Sequence, residues 1–295
     1  MSVCRLCPHN CGVDRSIGRG ICGSGENIRI SRVSKHMWEE PCISGSMGSG
    51  TVFFSGCSLG CVFCQNKPLS CDCIGEDVTA ERLGKIFLDV QSSGAHNINL
   101  VTPTHFTDKI ADALKLVRQR LEIPVVWNSS GYELPGTLSL LQGLVDIYMP
   151  DFKYISPELA VEYSSAPDYA DYAAMSLKYM YDMLGPAEMS GGLMKRGVLV
   201  RHLVLPGCRK DSIAVLEKIA ETVPVGDIIL GLMAQYTPDF YKGKHANLRR
   251  RVTTFEYESV RKRANELGFE GYMQSPMSAT TGFTPEFTDK LKIEL

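Results

Sequence analysis

From residue 51 onward the chain alternates short, almost continuously apolar runs with longer stretches in which apolar residues recur every three or four positions. The short runs read as strands, at 51–56, 97–103, 124–130, 146–152, 197–206 and 227–235. The longer stretches read as amphipathic helices, at 79–93, 105–121, 134–144, 171–184, 211–222 and 251–268. Apolar strands separated by helices predict a parallel sheet with both faces covered. Six such units predict an α/β fold, an incomplete (β/α)6 barrel rather than a closed eightfold one. Binding groups on such a sheet belong at the C-terminal strand ends. The chain places Thr102 and Thr104, Asn128 to Ser130, Asp151 and Lys153, Arg201, and Gln235 with Tyr236 there.

The first 50 residues lack this periodicity and are rich in Cys, Gly, Ser and Arg, which predicts a small loop-rich module held by its ligands. Cys4, Cys7, Cys11 and Cys22 form C-x2-C-x3-C-x10-C, with a return across Gly18-Arg19-Gly20. Four thiols so spaced suit a structural zinc, whose binding energy can replace a missing core. The same four also satisfy an auxiliary 4Fe-4S cluster. The expected organisation is a Cys-rich metal-binding module over 1–50, the barrel over 51–275 and a C-terminal extension over 276–295.

Three further cysteines, Cys57, Cys61 and Cys64, fall within eight residues as C-x3-C-x2-C. They offer three thiolates and leave one position open, which suits an iron-sulfur cluster with a free iron better than closed tetrahedral zinc. The run Thr51-Val52-Phe53-Phe54-Ser55-Gly56 reads as a strand delivering that loop. A zinc knuckle short of one ligand, or three thiols that merely pack, are the plainer readings. The eleven cysteines are odd in number and clustered, which argues for metal ligation over disulfides. Cys42 and Cys208 stand alone and read as buried or incidental, and the Cys71/Cys73 pair has no assigned role. With 44% hydrophobic and 22% charged residues the composition is that of a globular protein, and a net charge of -2 gives no reason to expect nucleic acid or an anionic membrane as partner. No apolar leader follows Met1 and no apolar stretch reaches membrane-span length, so the expected location is cytoplasmic.

With the triplet, its leading strand and the β/α units, the chain resembles the radical S-adenosylmethionine (SAM) superfamily, and within it the family similar to pyruvate formate-lyase activating enzymes. The resemblance rests on Cys4-Arg5-Leu6-Cys7-Pro8-His9-Asn10-Cys11, Glu39-Glu40-Pro41, Gly48-Ser49-Gly50 and the run from Phe54 to Asn66, and it extends over nearly the whole chain. It implies a partial radical SAM barrel in which Cys57, Cys61 and Cys64 hold a catalytic 4Fe-4S cluster whose fourth iron binds SAM. An electron then cleaves SAM to methionine and a 5'-deoxyadenosyl radical that takes a hydrogen atom from the substrate. The implied SAM-holding residues are Phe63 beside adenine, Asp151 and Lys153 of the M-x-D-x-K run, Arg201 near the carboxylate, Asn128 and Ser129 toward methionine and ribose, and Thr102, Thr104 and Gln235 at two further strand ends. Read from the residues alone, Phe63 is equally a core aromatic, Asp151 and Lys153 a strand-end ion pair, Arg201 one half of a salt bridge, and Asn128 to Gly131 a turn. The implied partners are an electron donor such as flavodoxin or ferredoxin, and a glycyl-radical enzyme or a peptide substrate.

Three positions depart from the family. Thr102-Pro103-Thr104-His105 replaces a segment that ends in an acid, Asn128 stands in place of aspartate, and Gln235-Tyr236 stands where a histidine is usual. Three functions therefore compete: activation of a protein glycine, radical modification of a peptide or small metabolite, and a non-catalytic iron-sulfur or zinc protein. His105 and His202 read as structural or substrate-orienting, the basic run from Lys242 to Arg251 as a solvated face, and Tyr169, Tyr172, Tyr179 and Tyr181 as helix packing.

Overall fold

The computed structural model describes residues 3–275 and 285–295. Strands run β1 Ile28–His36, β2 Ser49–Phe54, β3 Glu76–Val78, β4 Ile98–Val101, β5 Val125–Ser129, β6 Ile147–Pro150, β7 Glu188–Ser190, β8 Leu193–Leu203, β9 Ile229–Met233, β10 Gly271–Met273 and β11 Lys292–Glu294. Helices are α1 Pro41–Ser44, α2 Lys67–Ser70, α3 Ala80–Ser92, α4 Thr107–Val117, α5 Pro135–Leu138, α6 Pro157–Ser164, α7 Tyr169–Leu184, α8 Arg209–Thr222 and α9 Thr254–Glu266. One sheet has the order β10-β9-β8-β6-β5-β4-β2-β1-β11. The six expected strands are its parallel core, β2 through β9, and β10 adds one more parallel strand at that edge. The sheet curls without closing, which is the partial barrel the pattern predicts.

Local chemistry accounts for the helices. Thr79 caps α3 by accepting the Arg82 N–H, and Leu83, Ile86, Phe87 and Val90 bury one face at helical spacing. Thr253 and Glu256 form a reciprocal capping box on α9. The helix expected over 134–144 is shorter, a single α turn followed by a 3-10 turn at Ser139–Leu141, with Gly143 at φ +74° ending it. The short helix α6 was not anticipated: Ser156 caps it, Pro157 starts it and Ser165 stops it in the left-handed region.

Residues 28–36 depart from the loop-rich expectation for the first 50 residues. They form β1, antiparallel to β2, with Ile28, Ile30 and Val33 buried. A bulge between Ile30 and Arg32 shifts the register and breaks the alternation that identifies a strand. Of the extension expected over 276–295, residues 276–284 lie outside the described residues, and the remainder supplies β11, parallel to β1.

β1 runs toward the N-terminal ends of the parallel strands, pairing His36 with Ser49. The chain then turns into the barrel. Cys42 and Ile43 of α1 pack on Val126, Ile147, Met149 and Leu199, which alternate along their strands with residues of the outer core and therefore face inward. Asn97 fixes this plug by donating to the Ile43 carbonyl at 2.7 Å and accepting from Ser49 at 2.6 Å. Among the described residues no helix is long and apolar enough to cross a membrane.

Gly231 of β9 lies against the plug: a Cβ there would sit 2.6 Å from Glu40 Oε1. Gly231→Ala is expected to destabilise the chain by about 1–3 kcal/mol through overpacking. Gly226→Ala, where a Cβ meets nothing within 4 Å, is expected to stay within about 0.5 kcal/mol of wild type. Denaturant unfolding of the two variants compares them; equal stabilities would mean the plug gives way.

Candidate active site

The cluster loop leaves β2 through Ser55 and Gly56. Gly56 has φ +92°, and a Cβ on it would meet Ser24 Oγ at 2.4 Å and the Cys22 carbonyl at 2.6 Å. The loop then presents Cys57, Cys61 and Cys64 close together. Burial first, then repulsion from Cys61 and Cys64, pushes Cys57 up to about 12. Burial and Cys61 push Cys64 up to about 11. Sulfur acceptors are already provided with donors: Leu59 N–H lies 3.4 Å from Cys57 Sγ, and Ser164 Oγ 3.0 Å from Cys61 Sγ. Buried thiols with hydrogen-bond donors and costly thiolates fit a cationic iron cluster, which offsets the charge they must carry.

Cys61 and Cys64 border a cavity of about 230 Å³ in the concave face of the sheet. Of the residues anticipated for SAM, Phe63, Asn128, Asp151, Lys153, Arg201 and Gln235 line this same cavity. Phe63 meets Tyr154, Tyr163 and Tyr236 edge-on at ring separations of 6.4, 6.1 and 6.3 Å. Gln235 is oriented by Gln274, which donates to its Oε1 at 3.1 Å.

The anticipated Thr102, Thr104 and Ser129 do not line the cavity. Side chains alternate along a strand, so Asn128 faces in and Ser129 faces out. Ser129 and Thr104 hydroxyls donate to buried Glu133 at 2.6 and 3.0 Å, together with Trp127 Nε1 at 2.8 Å. These three donors stabilise one carboxylate outside the barrel, although burial still pushes its pKa upward. Thr102 is half-buried at φ +60°, and Val101 takes the cavity position on that strand. His105 and His202 are buried and bond the carbonyls of Ser55 and Phe152 at 2.8 and 2.7 Å. Burial lowers both to about 4, which keeps them neutral and structural at ordinary pH.

A cluster of charges lines the cavity wall. Arg201 donates from Nε to Asp151 at 3.1 Å, from Nη1 to Glu39 at 3.2 Å and from Nη2 to Asn128 at 2.6 Å. Lys153 reaches the other Asp151 oxygen at 2.6 Å. Each of the four charged side chains is less than one-fifth exposed. Burial pushes Asp151 upward, but Lys153 and Arg201 outweigh it and hold the carboxyl below its usual range. Burial opposes charge on Lys153 and Arg201 as well, and the neighbouring acids overcome it, Asp151 foremost. At Glu39 burial wins over Arg201 and the pKa rises.

Several contributors escaped the sequence reading. Glu39 enters the cavity from ahead of the barrel, held by Asn99 Nδ2 at 3.1 Å. Its sequence signal was the Glu39-Glu40-Pro41 run, which carried no assigned role. Tyr169 was read as helix packing, yet its hydroxyl bonds the Ser130 and Asp151 carbonyls at 2.8 and 2.9 Å and accepts the Lys153 N–H at 3.0 Å. It thereby fixes the strand end that carries the Asp151–Lys153 pair.

The N-terminal thiols also assemble. Cys7 interacts with Cys22, Cys4 and Cys11, and its pKa rises to about 11, mainly through burial. A Cβ added at Gly20 would lie 3.3 and 3.4 Å from the sulfurs of Cys22 and Cys11, so the missing side chain leaves a cradle between two thiols. Four neighbouring thiols are a donor set that zinc or an iron-sulfur cluster takes. Among the described residues, no three His, Cys, Asp or Glu side chains stand at the spacing of one ion's ligands, and the geometry does not single out zinc.

Residues 44–147 match a family of 4Fe-4S single cluster domains. The uncharacterized protein MJ0674 of Methanocaldococcus jannaschii is 30% identical over 272 residues, 88% of this chain and 72% of that protein. Among solved structures, Streptococcus suis SuiB bound to S-adenosylmethionine is similar with a TM-score of 0.51 at 13% identity, over 81% of this chain and 56% of SuiB. SuiB bound to its precursor peptide SuiA gives 0.51 at 12% identity, over 81% of this chain and 55% of SuiB. The chain thus spans just over half the length of SuiB, and the likeness is one of fold.

The chain shares its fold with SuiB and carries a 4Fe-4S single cluster domain match over residues 44–147. It belongs to the family of the M. jannaschii protein.

Glu40, beside Glu39, is buried with Oε2 unpartnered. Burial, against the pull of Arg201, raises its pKa from 4.5 to about 7. A folded-state value above the unfolded one means the folded chain holds an extra proton between these limits. Its contribution to stability is therefore present below pH 4.5 and is lost as pH rises through about 7. Glu40→Gln should flatten that decline, seen as a stability difference between variant and wild type that widens from pH 4.5 to 7 in denaturant titrations. Parallel pH profiles would show that the carboxyl is ionised throughout.

Proposed function

We propose that the chain is a radical SAM enzyme that abstracts hydrogen from a peptide or small-metabolite substrate, with activation of a protein glycine as the narrower alternative. The observation that carries this reading is the meeting of Cys61 and Cys64 with Asp151, Lys153 and Arg201 around one cavity. Cys57, Cys61 and Cys64 would hold the cluster, and Phe63, Asn128, Asp151, Lys153, Arg201 and Gln235 would hold SAM. When bound, the cluster and SAM supply reductive cleavage of a sulfonium and a carbon-centred oxidant for one substrate C–H bond.

The chain's own residues orient and shield. Arg201 and Lys153 face Asp151 and Glu39 across one wall, so the wall suits a zwitterion such as the amino-acid end of SAM. Its carboxylate would take the remaining N–H groups of Arg201 and Lys153, and its ammonium would turn to the acids. Glu39 supplies the carboxylate that the segment after β4 lacks. The tyrosines around Phe63 make the adjoining wall apolar and exclude water beside the cluster loop. An external one-electron donor such as flavodoxin or ferredoxin would serve the cluster, and the four N-terminal thiols would hold zinc or a second cluster.

A peptide substrate is favoured by one likeness of fold. SuiB, which shares the fold, has been solved with a precursor peptide bound.

The test is anaerobic reconstitution with iron and sulfide, then reductant and SAM, with 5'-deoxyadenosine measured. Wild type is expected to form it and Cys61→Ala to fall to background. Arg201→Lys, which keeps the charge but loses the fan of N–H donors, is expected to weaken SAM binding about tenfold, roughly 1.4 kcal/mol. Cluster uptake without any SAM cleavage under several reductants would point instead to a non-catalytic iron-sulfur protein.

A further inference from the structure

The N-terminal segment has almost no core of its own. Among residues 3–27 only Cys7, Cys22 and Ser24 are buried, while Ile17 and Ile21 are 88% and 64% exposed. A segment of this kind gains little from apolar burial, and a group bound by its thiols would supply ordering energy that a core does not.

That segment nevertheless holds the cluster loop. The Cys22 carbonyl accepts the Cys57 N–H at 3.1 Å. Ser24 Oγ donates to the Ser55 carbonyl at 3.3 Å, and His9 Nε2 donates to the Ser58 carbonyl at 2.6 Å. Gly56 sits beneath Cys22 and Ser24, where a side chain has no room. Four consecutive residues of the loop thus lean on the N-terminal segment. The barrel holds only the first two by other means: Ser55 bonds Arg29 and His105, and Gly56 N–H bonds the Leu69 carbonyl. The Cys57 N–H and the Ser58 carbonyl depend on Cys22 and His9.

We propose that the four-thiol site is a positioning device for the barrel cluster. A metal group at Cys4, Cys7, Cys11 and Cys22 fixes Cys22, and Cys22 with His9 and Ser24 then shapes Ser55 to Ser58 so that Cys57 is presented to its cluster. Cys22 serves both sites, through its sulfur on one side and its carbonyl on the other. The inference rests on the reading of Cys57, Cys61 and Cys64 as cluster ligands, and it adds that their geometry is conditional on a second, separate site. Because N–H groups around ligating sulfurs tune a cluster's potential, emptying the second site should alter the first electronically as well as structurally.

Cys11 is exposed and can be replaced without opening a core cavity. The experiment compares full-length wild type, Cys11→Ser and a control Cys71→Ser, each reconstituted anaerobically, by metal analysis, amide hydrogen exchange at Cys57 and the paramagnetic resonance of the reduced barrel cluster. The expected result for Cys11→Ser is loss of the N-terminal metal, Cys57 exchange at least tenfold faster, and shifted or weakened resonance of the barrel cluster. Cys71→Ser should match wild type in all three. Chelator stripping of the wild-type N-terminal site, followed by refilling with zinc or with iron and sulfide, provides the same comparison without a substitution and should reverse the exchange change. Loss of the N-terminal metal with unchanged Cys57 exchange and unchanged resonance overturns the inference. A wild type that takes no iron at the triplet overturns the reading of the cluster ligands, whereas the exchange arm still decides whether the loop depends on the four-thiol site.

Discussion

A guanidinium inside a parallel sheet costs several kcal/mol unless its N–H groups find acceptors, and Arg201 finds them on three separate parts of the chain. Each acceptor imposes a condition. Asp151 must bridge to Arg201, which sets how β6 meets β8. Asn128 must face inward, which sets the face of β5. Glu39 must reach up from the plug, which requires the chain after β1 to fold back into the barrel. Floor, wall and mouth therefore share one node. The four residues of α1 are too few to be stable as a helix alone, and they hold their place through Ile43, Asn97 and this charge.

The same node explains how a polar cavity is maintained inside an otherwise apolar sheet. Two cations and two carboxylates satisfy one another directly, so the wall need not collapse or hydrate heavily before a ligand arrives. A zwitterion can exchange partners with them while the net charge stays constant. The outward-facing Glu133 network acts elsewhere, tying the ends of β4 and β5 to the helical layer and so keeping the inward residues of these strands in register.

Much of the barrel was legible because its strands are apolar on both faces and its helices keep a regular period. Five of the six expected helices lie close to their expected places, and the fifth strand, β8, extends four residues earlier than its run suggested. β1 was not legible, since a bulge hides its alternation and cysteine-rich sequence precedes it. In the site, Arg201 on β8 and Asp151 and Lys153 just past β6 continue an inward face that alternation marks, and they line one cavity. Ser129 was read as part of a polar segment rather than by its face, and one residue of alternation carries it to the other side of the sheet. Glu39 was beyond reach for another reason: a carboxylate from ahead of the barrel enters the cavity only through tertiary folding, and no spacing near the other site residues announces it.

The depth at which the cluster-loop thiols lie has a bearing on how the protein survives before it is assembled. Burial pushes Cys57 and Cys64 up to about 12 and 11, so both rest as thiols rather than thiolates at neutral pH. Air, disulfides and electrophiles attack the thiolate, so the unassembled loop resists damage that an activated cysteine would suffer. The corresponding cost falls on maturation: each of these sulfurs must release its proton as iron arrives.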